Sequence, residues 1–310
     1  MGKLLEKVVA CRLTYLTGRY NLISDSQFRD RANSSTSDAI LTFVHDTHNS
    51  WNYGLATSVL IFDIKGYFDF VNHEHLLNEM KKHCIPLELV KWTANFLSDW
   101  EAAICLDSNQ GEMKPVKNGL LQGSPISPIL TSFYSAGLLD IFETPTNPIE
   151  IPENHACNHS THVSILMYVD NGKLTVSSQS LDTNNYILAK AYQLVDQWLH
   201  SAGLSSDKNK RELMHYTWRK RDKISPYINL INHDGTISTI VVGSTICWLE
   251  VHFDHKLLYN HHVTKMAAKA ENTVAYISML ANTVRGLSHY YLCLLYHTCI
   301  LPIITYTSAA

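Results

Sequence analysis

Two aspartates stand where a carboxylate would be held rigidly and left accessible: Asp63 in FDIKGYFDF and Asp170 in LMYVDNGKLTV. Each follows a run of apolar and β-branched residues that reads as a buried strand, so each carboxylate would project from a stiff support. Hard oxygens of this kind hold Mg²⁺ while leaving positions for water and substrate phosphate. Two such ions can clamp the attacking and leaving oxygens of an in-line displacement on phosphorus. The alternative for either aspartate is a carboxylate that merely caps a turn. Beside Asp170 stand an amide, Asn171, and Gly172. Asn-Gly favours a type I′ hairpin, which predicts a tight turn formed by this pair.

The elements that must position these residues follow from periodicity. Leu4, Leu5, Val8, Val9, Leu13 and Leu16 recur at helical spacing, and a second helix from about Ser37 carries Ile40, Leu41, Val44 and Trp51 on one face. TSVLIFDI, between Gly54 and Gly66, reads as a buried strand ending at Asp63. HEHLLNEMKKHC is a helix, Pro86 opens another at its first position, and AAICLD and EMKPVKNG are strand-like. In LLQGSPISPIL, Gly123 permits unusual backbone angles, and the two prolines fit only the first turn of a helix running towards Phe142. A polar insertion spans Thr144 to His162. After the hairpin come a helix from about Leu181 to Ser201, closed by Gly203, then strands KRELMHYTW, SPYINLI, GTISTIVVG and TICWLEVHF, with helices resuming near His261. This order gives an α+β fold with a mainly antiparallel sheet. The apolar YYLCLLYHTCILPIITYTSAA, interrupted by His297 and Pro302, suits a buried helix ending at proline better than a membrane span.

With 310 residues, 45% of them apolar and 17% charged, the chain can bury a sizeable core. Lys+Arg number 25 against Asp+Glu 28, a formal charge of −3, so no overall positive field argues for a polyanionic partner. The one visible basic cluster is WRKRDK, where Arg219, Lys220, Arg221 and Lys223 form either a backbone-tracking run or a solvated turn. Seven cysteines, odd in number and without paired short spacing, fit a reducing, intracellular setting, nuclear or cytoplasmic. His155, Cys157, His159 and His162 are nitrogen and sulfur donors that could hold Zn²⁺, although their spacing matches no usual finger pattern.

The order of motifs is more specific than any one of them. FDIKGYFDFVNHEHLL is followed by NGLLQGSPISPIL, MYVDNG, AGLSSDKNKRELM and WLEVHFD, with SQFRDRANSSTSDAI ahead of them all. In this order the sequence resembles the reverse transcriptase domain of non-LTR (LINE-type) retrotransposons, most closely their fungal members. The resemblance implies a right-hand polymerase: partial fingers over 1–56, a palm over 57–255 with a fingers-like insertion at 86–118, and an incomplete thumb over 256–310. It implies an RNA template, a DNA primer and deoxynucleoside triphosphates as partners, Mg²⁺ or in its place Mn²⁺ as cofactor, no membrane, and an endonuclease and further thumb outside this chain. A metal-dependent nuclease could also use two carboxylates, but the motif order resembles a polymerase.

Residue by residue, the resemblance makes Asp63 and Asp170 the metal ligands, with the main-chain carbonyl of Ile64 as an extra oxygen. Phe68 would lie under the incoming sugar, or else be a plain core aromatic. Gln122, Gly123 and Ser124 would shape the floor beneath the nucleotide, or form an ordinary loop-to-helix turn. Lys210 would stand near the departing pyrophosphate, or be a solvated strand-end charge. Asn171 departs from the pattern, which has a second aspartate, so the hairpin loses a charge and the copy looks degenerate or fragmentary. Glu250 and Arg29 replace glycines usual in the family, and Leu121 replaces a proline; together they point the same way.

Overall fold

The computed structural model describes residues 2–29, 34–107, 109–143, 149, 162–219, 227–281, 286–306 and 308. His155, Cys157 and His159, the side chain of His162, and Lys220, Arg221 and Lys223 lie outside the described residues.

Two helices come first, α1 (Gly2–Tyr20) and α2 (Thr36–Asn52). Ser35 and Asp38 close a reciprocal capping box at the start of α2, which is why that helix begins there. Strand β1 (Ala56–Asp63) follows, then α3 (His73–Lys82), capped by the Asn72 side chain, and α4 (Leu87–Leu97). Pro86 is the N-cap of α4 rather than its first residue. The strand-like stretches beyond it form only two-residue ladders, β2 (Glu101–Ala102) with β5 (Lys114–Pro115) and β3 (Cys105–Leu106) with β4 (Asn109–Gln110). Helix α5 (Ser127–Glu143), the hairpin β6 (His162–Tyr168) and β7 (Asn171–Ser178), and α6 (Leu181–Ser201) come next. Gly203, at φ +75°, ends α6 as its type predicts. A short 3₁₀ turn (Lys208–Lys210) leads to β8 (Glu212–Tyr216). Two further hairpins are β9 (Tyr227–Ile231) with β10 (Ile237–Val241) and β11 (Thr245–Trp248) with β12 (Val251–Asp254). Helices α7 (Asn260–Leu280), α8 (His289–Leu295) and α9 (Leu301–Ile304) finish the described chain.

The central sheet has the order β6-β7-β1-β8, antiparallel throughout. β1 lies inside it and is buried on both faces, which explains its unbroken apolar run. Leu60 and Phe62 join one core with Leu174, Val176 and Leu213, covered by α3, α5 and α6. Val59 and Ile61 join the other with Leu166, Met214 and Tyr216, covered by α2 and the β11–β12 hairpin. There Phe43 meets Tyr216, Trp248 and Phe253 edge-on at 5.3, 6.3 and 5.2 Å. Each such buried ring contributes roughly 1.5–3 kcal/mol. One polar chain runs through the sheet: the Asn184 amide donates to Ser58 Oγ at 3.0 Å, and Ser58 Oγ lies 2.7 Å from His215 Nδ1.

Two local expectations are corrected. Asn171 and Gly172 are not the turn: Tyr168 pairs with Asn171, so the turn residues are Val169 and Asp170 and the Asn-Gly pair belongs to β7. Gly172 faces Phe62 across the sheet, and a Cβ there would lie 2.2 Å from the ring. Lack of room, rather than turn preference, requires glycine at this position. The apolar end of the chain is also not a buried helix stopped by proline. Between α8 and α9 a π-helical turn (Tyr296–Ile300) widens the backbone, Pro302 sits in the first turn of α9, and Tyr290, Tyr291, Leu294, Tyr296 and Ile304 are exposed.

Candidate active site

Antiparallel pairing brings the two aspartates together. β1 ends at Asp63 opposite Asn171, and one residue on, the Ile64 N–H donates to the Asp170 carbonyl at 2.9 Å. Asp170 is the second residue of the β6–β7 turn, and Val169 before it has φ +59°. Positive φ at the first turn residue and not the second is the pattern that favours glycine in first place. A β-branched valine there is strained. Strain of this kind is concentrated at functional sites.

The electrostatics show how closely the groups are coupled. Burial pushes the Asp170 carboxyl above its ordinary value, and the charge of Asp63 pushes the same way. The main-chain N–H of Asp170, Lys210 and Asn171 oppose that rise. Lys210 Nζ donates to Asp63 Oδ2 at 2.8 Å, and this bond raises the lysine pKa. The Lys210 side chain is exposed while that of Asp63 is 14% exposed, so the ion pair lies at the surface end of the strand. Asn171 Nδ2 donates to Asp170 Oδ1 at 3.2 Å. The Asn171 amide therefore acts as a hydrogen-bond donor to Asp170 and brings no charge of its own.

Ile64 is buried, and its bridge to Ser206 joins β1 to the segment that carries Lys210. Asp207 N–H donates to the Asp63 carbonyl at 2.8 Å, fixing that segment beside the strand end. Asp63, Ile64, Asp170, Asn171 and Lys210 thus form one directly bonded group. Phe68 and the loop that carries Gln122, Gly123 and Ser124 are tied to each other through Leu120 and Asp69 rather than to that group. The Leu120 N–H donates to the Phe68 carbonyl at 2.7 Å, and Gln122 Nε2 donates to Asp69 Oδ1 at 3.4 Å. Phe68 is half-buried against the core, and its ring lies 6.1 Å from that of Tyr67. Gly123 is exposed at φ +84° with open space around it. Ser124 is buried, and its hydroxyl donates to Glu6 Oε2 of α1 at 2.6 Å. Tyr67, beside Phe68, is buried and its hydroxyl donates to the Thr131 carbonyl of α5 at 2.7 Å.

Arg29 NH1 donates to the Tyr168 hydroxyl at 3.4 Å at the turn end of the hairpin. Leu121 is exposed. Leu249 and Glu250 form the β11–β12 turn with φ +51° and +64°, so Glu250 occupies a backbone that favours glycine. Sequence reading missed Asp207, Ser206 and Tyr67. For Asp207 a signal existed, since its side chain accepts from Asn209 N–H at 3.0 Å as a cap, a common use of Asp ahead of a short helix.

Among the described residues no three His, Cys, Asp or Glu side chains are gathered into a metal cage. The donor set is a carboxylate pair with nearby main-chain and amide oxygens. That set fits Mg²⁺, which is commonly bound through one or two carboxylates with substrate phosphate and water completing its shell. Among the described residues no helix is long and apolar enough to cross a membrane.

The sheet, its flanking helices and the carboxylates at a strand end and an adjoining turn define a polymerase palm. The family model described as reverse transcriptase (RNA-dependent DNA polymerase) matches residues 1–266, and the chain belongs to that family. It is similar to the RNA-directed DNA polymerase from mobile element jockey of Drosophila melanogaster, with 23% identity over 283 residues, 90% of this chain and 28% of that protein. The probable RNA-directed DNA polymerase from transposon BS, from the same organism, is 23% identical over 138 residues, 44% of this chain and 15% of that protein. The chain therefore spans less than a third of the length of either relative. In fold it is similar to apo telomerase from Candida tropicalis truncated from its C-terminal domain, with TM-score 0.50 and 14% identity over 81% of this chain and 43% of that one. Telomerase from Candida tropicalis in complex with a TWJ fragment of telomeric RNA gives TM-score 0.51 and 11% identity over 98% of this chain and 47% of that one.

Proposed function

We propose that this chain is an RNA-directed DNA polymerase domain that extends a DNA primer on an RNA template at the Asp63–Asp170 site, at a rate limited by Asn171. The observation that carries the reading is the direct bonding of Asp63, Ile64, Asp170 and Lys210 from three separate stretches of sequence. Asp63 and Asp170, with the Ile64 carbonyl, would hold Mg²⁺, which supplies positive charge against the triphosphate and the primer 3′-oxygen. Lys210, on an exposed stem beside them, offers a compact charge to the departing pyrophosphate. Phe68 would close the site under the sugar, and the open backbone at Gly123 lets template or nucleotide approach. Residues 1–56 serve as fingers, 57–255 as palm with the 86–118 insertion, and 256–310 as the start of the thumb.

A second reading is a site that binds primer–template without incorporating nucleotide. It is favoured by the Asn171 amide, which donates to Asp170 and adds no negative charge. The two separate in one experiment: a gel shift with primer–template at fixed salt, beside single-nucleotide incorporation with Mg²⁺ and with Mn²⁺. Incorporation with either ion supports the polymerase reading. A shifted complex with no incorporation in either ion supports binding alone.

A further inference from the structure

The segment between α6 and β8 reaches the carboxylates from outside the four-stranded sheet, and its leading half is held by main chain. Lys65 N–H donates to the Ser205 carbonyl at 2.9 Å, and Asp207 N–H to the Asp63 carbonyl at 2.8 Å. The trailing half carries Lys210, whose side chain is 61% exposed. Its neighbour Arg211 turns the other way and is 6% exposed. Inside, Arg211 NH2 donates to Ser206 Oγ at 2.7 Å and NH1 to Asn232 Oδ1 at 3.0 Å. The guanidinium lies over the Tyr192 ring at 4.7 Å, and the Tyr192 hydroxyl shares Ser206 Oγ at 2.6 Å. Asn232 is itself fixed, its amide donating to Thr236 Oγ1 at 2.8 Å and Ser238 Oγ at 2.9 Å in the β9–β10 hairpin.

One buried cation therefore joins the end of the segment back to its start, across the 3₁₀ turn that carries Lys210. Burying a guanidinium is costly, and here its Nε has no hydrogen-bond partner. An apolar side chain would suit a purely packing role at lower cost. What Arg211 adds is a fork whose two donors fix two separate backbone segments.

We propose that Arg211 is a positioning residue for Lys210: by clamping Ser206 to Asn232 it sets the 205–210 segment so that the Lys210 ammonium meets Asp63 Oδ2. The role given to Lys210 rests on the polymerase reading above; the clamp itself does not. Hydrogen exchange read by mass spectrometry on the whole chain tests the clamp without any catalysis. Arg211→Met and Ser206→Ala each speed exchange of the peptide covering 205–210 about tenfold while β1 and α6 keep their rates. Single-nucleotide incorporation is the second arm. Arg211→Met lowers kcat about tenfold with a smaller change in nucleotide KM, and in a Lys210→Ala background it changes kcat less than about twofold.

Wild-type exchange over 205–210 in Arg211→Met, or equal acceleration across β1, α6 and β8, overturns the proposal. An undiminished loss in the Lys210→Ala background overturns it as well. If the unmodified chain incorporates nothing, that failure belongs to the polymerase reading, and the exchange arm still decides the clamp. If Arg211→Met does not fold, Ser206→Ala carries both arms.

Discussion

Replacing Asn171 by aspartate should weaken the protein and strengthen its site at the same time. The amide now donates to Asp170 Oδ1 at 3.2 Å, and Asp170 is already pushed upward by burial and by Asp63. Asn171→Asp removes that bond and sets a third carboxylate beside the other two. A lost hydrogen bond to a charged group together with like-charge repulsion at a half-buried site amounts to about 1–3 kcal/mol. In a domain of this size that lowers Tm by roughly 2–6 °C in EDTA. Divalent cation reverses the sign, because a ligand that binds the folded state stabilises it by about 2.7 kcal/mol at a hundredfold excess over Kd. Thermal unfolding of both chains across a Mg²⁺ titration, in EDTA-treated buffer at constant ionic strength, reads both effects. The variant starts below the parent and rises more steeply. A variant as stable as the parent in EDTA, with no steeper Mg²⁺ response, would refute the charge argument for Asn171.

Three further predictions concern the frame. Lys173 is fully buried between the Phe43 and Trp248 rings, its ammonium 3.9 and 4.5 Å from their centroids, and burial holds its pKa well below the ordinary lysine value. The unfolded chain binds that proton more readily, so stability rises with pH up to the ordinary lysine range; Lys173→Met stabilises the fold at pH 7 by about 1–4 kcal/mol, read as a higher Tm, and flattens that rise in a denaturation series. For His215, held down to about 4 by burial, stability falls as pH drops from 6.5 to 4, by about 3 kcal/mol, and urea midpoints of His215→Asn show a shallower fall. Gly172→Ala drives a methyl into the Phe62 ring and costs about 1–3 kcal/mol, read as a lower urea midpoint at unchanged slope.

The sequence was legible wherever one physical requirement dominated. The apolar run before Asp63 read as a buried strand and is one, a helix was expected after LLQG and begins at Ser127 with Pro128 in its first turn and Pro125 ahead of it, and α6 has the bounds and closing glycine its sequence suggested. The turn at Asp170 was misread because Asn-Gly is locally a better turn than Val-Asp, whereas register is set by the lack of space between Gly172 and Phe62. Tertiary packing overrode the local preference and left the strain on Val169. Lys173 was invisible for a related reason: lysine is almost always exposed, and nothing nearby in sequence announces the aromatic pair from α2 and β11 that encloses it. The meeting of Lys210 with Asp63 depends on the path of a loop, which periodicity does not encode. Pro302 was read as a stop because the compensating wide turn before it has no sequence signature.

The central claim is that Asp63 and Asp170 form one site acting on a nucleotide. It is tested most directly by the rate of single-nucleotide incorporation on an RNA template with Asp63→Asn and Asp170→Asn, each made in the Asn171→Asp chain. Either substitution should lower that rate by about a thousandfold or more while primer–template affinity at fixed salt is retained. Incorporation within about tenfold of the unsubstituted rate in either variant would contradict the shared site.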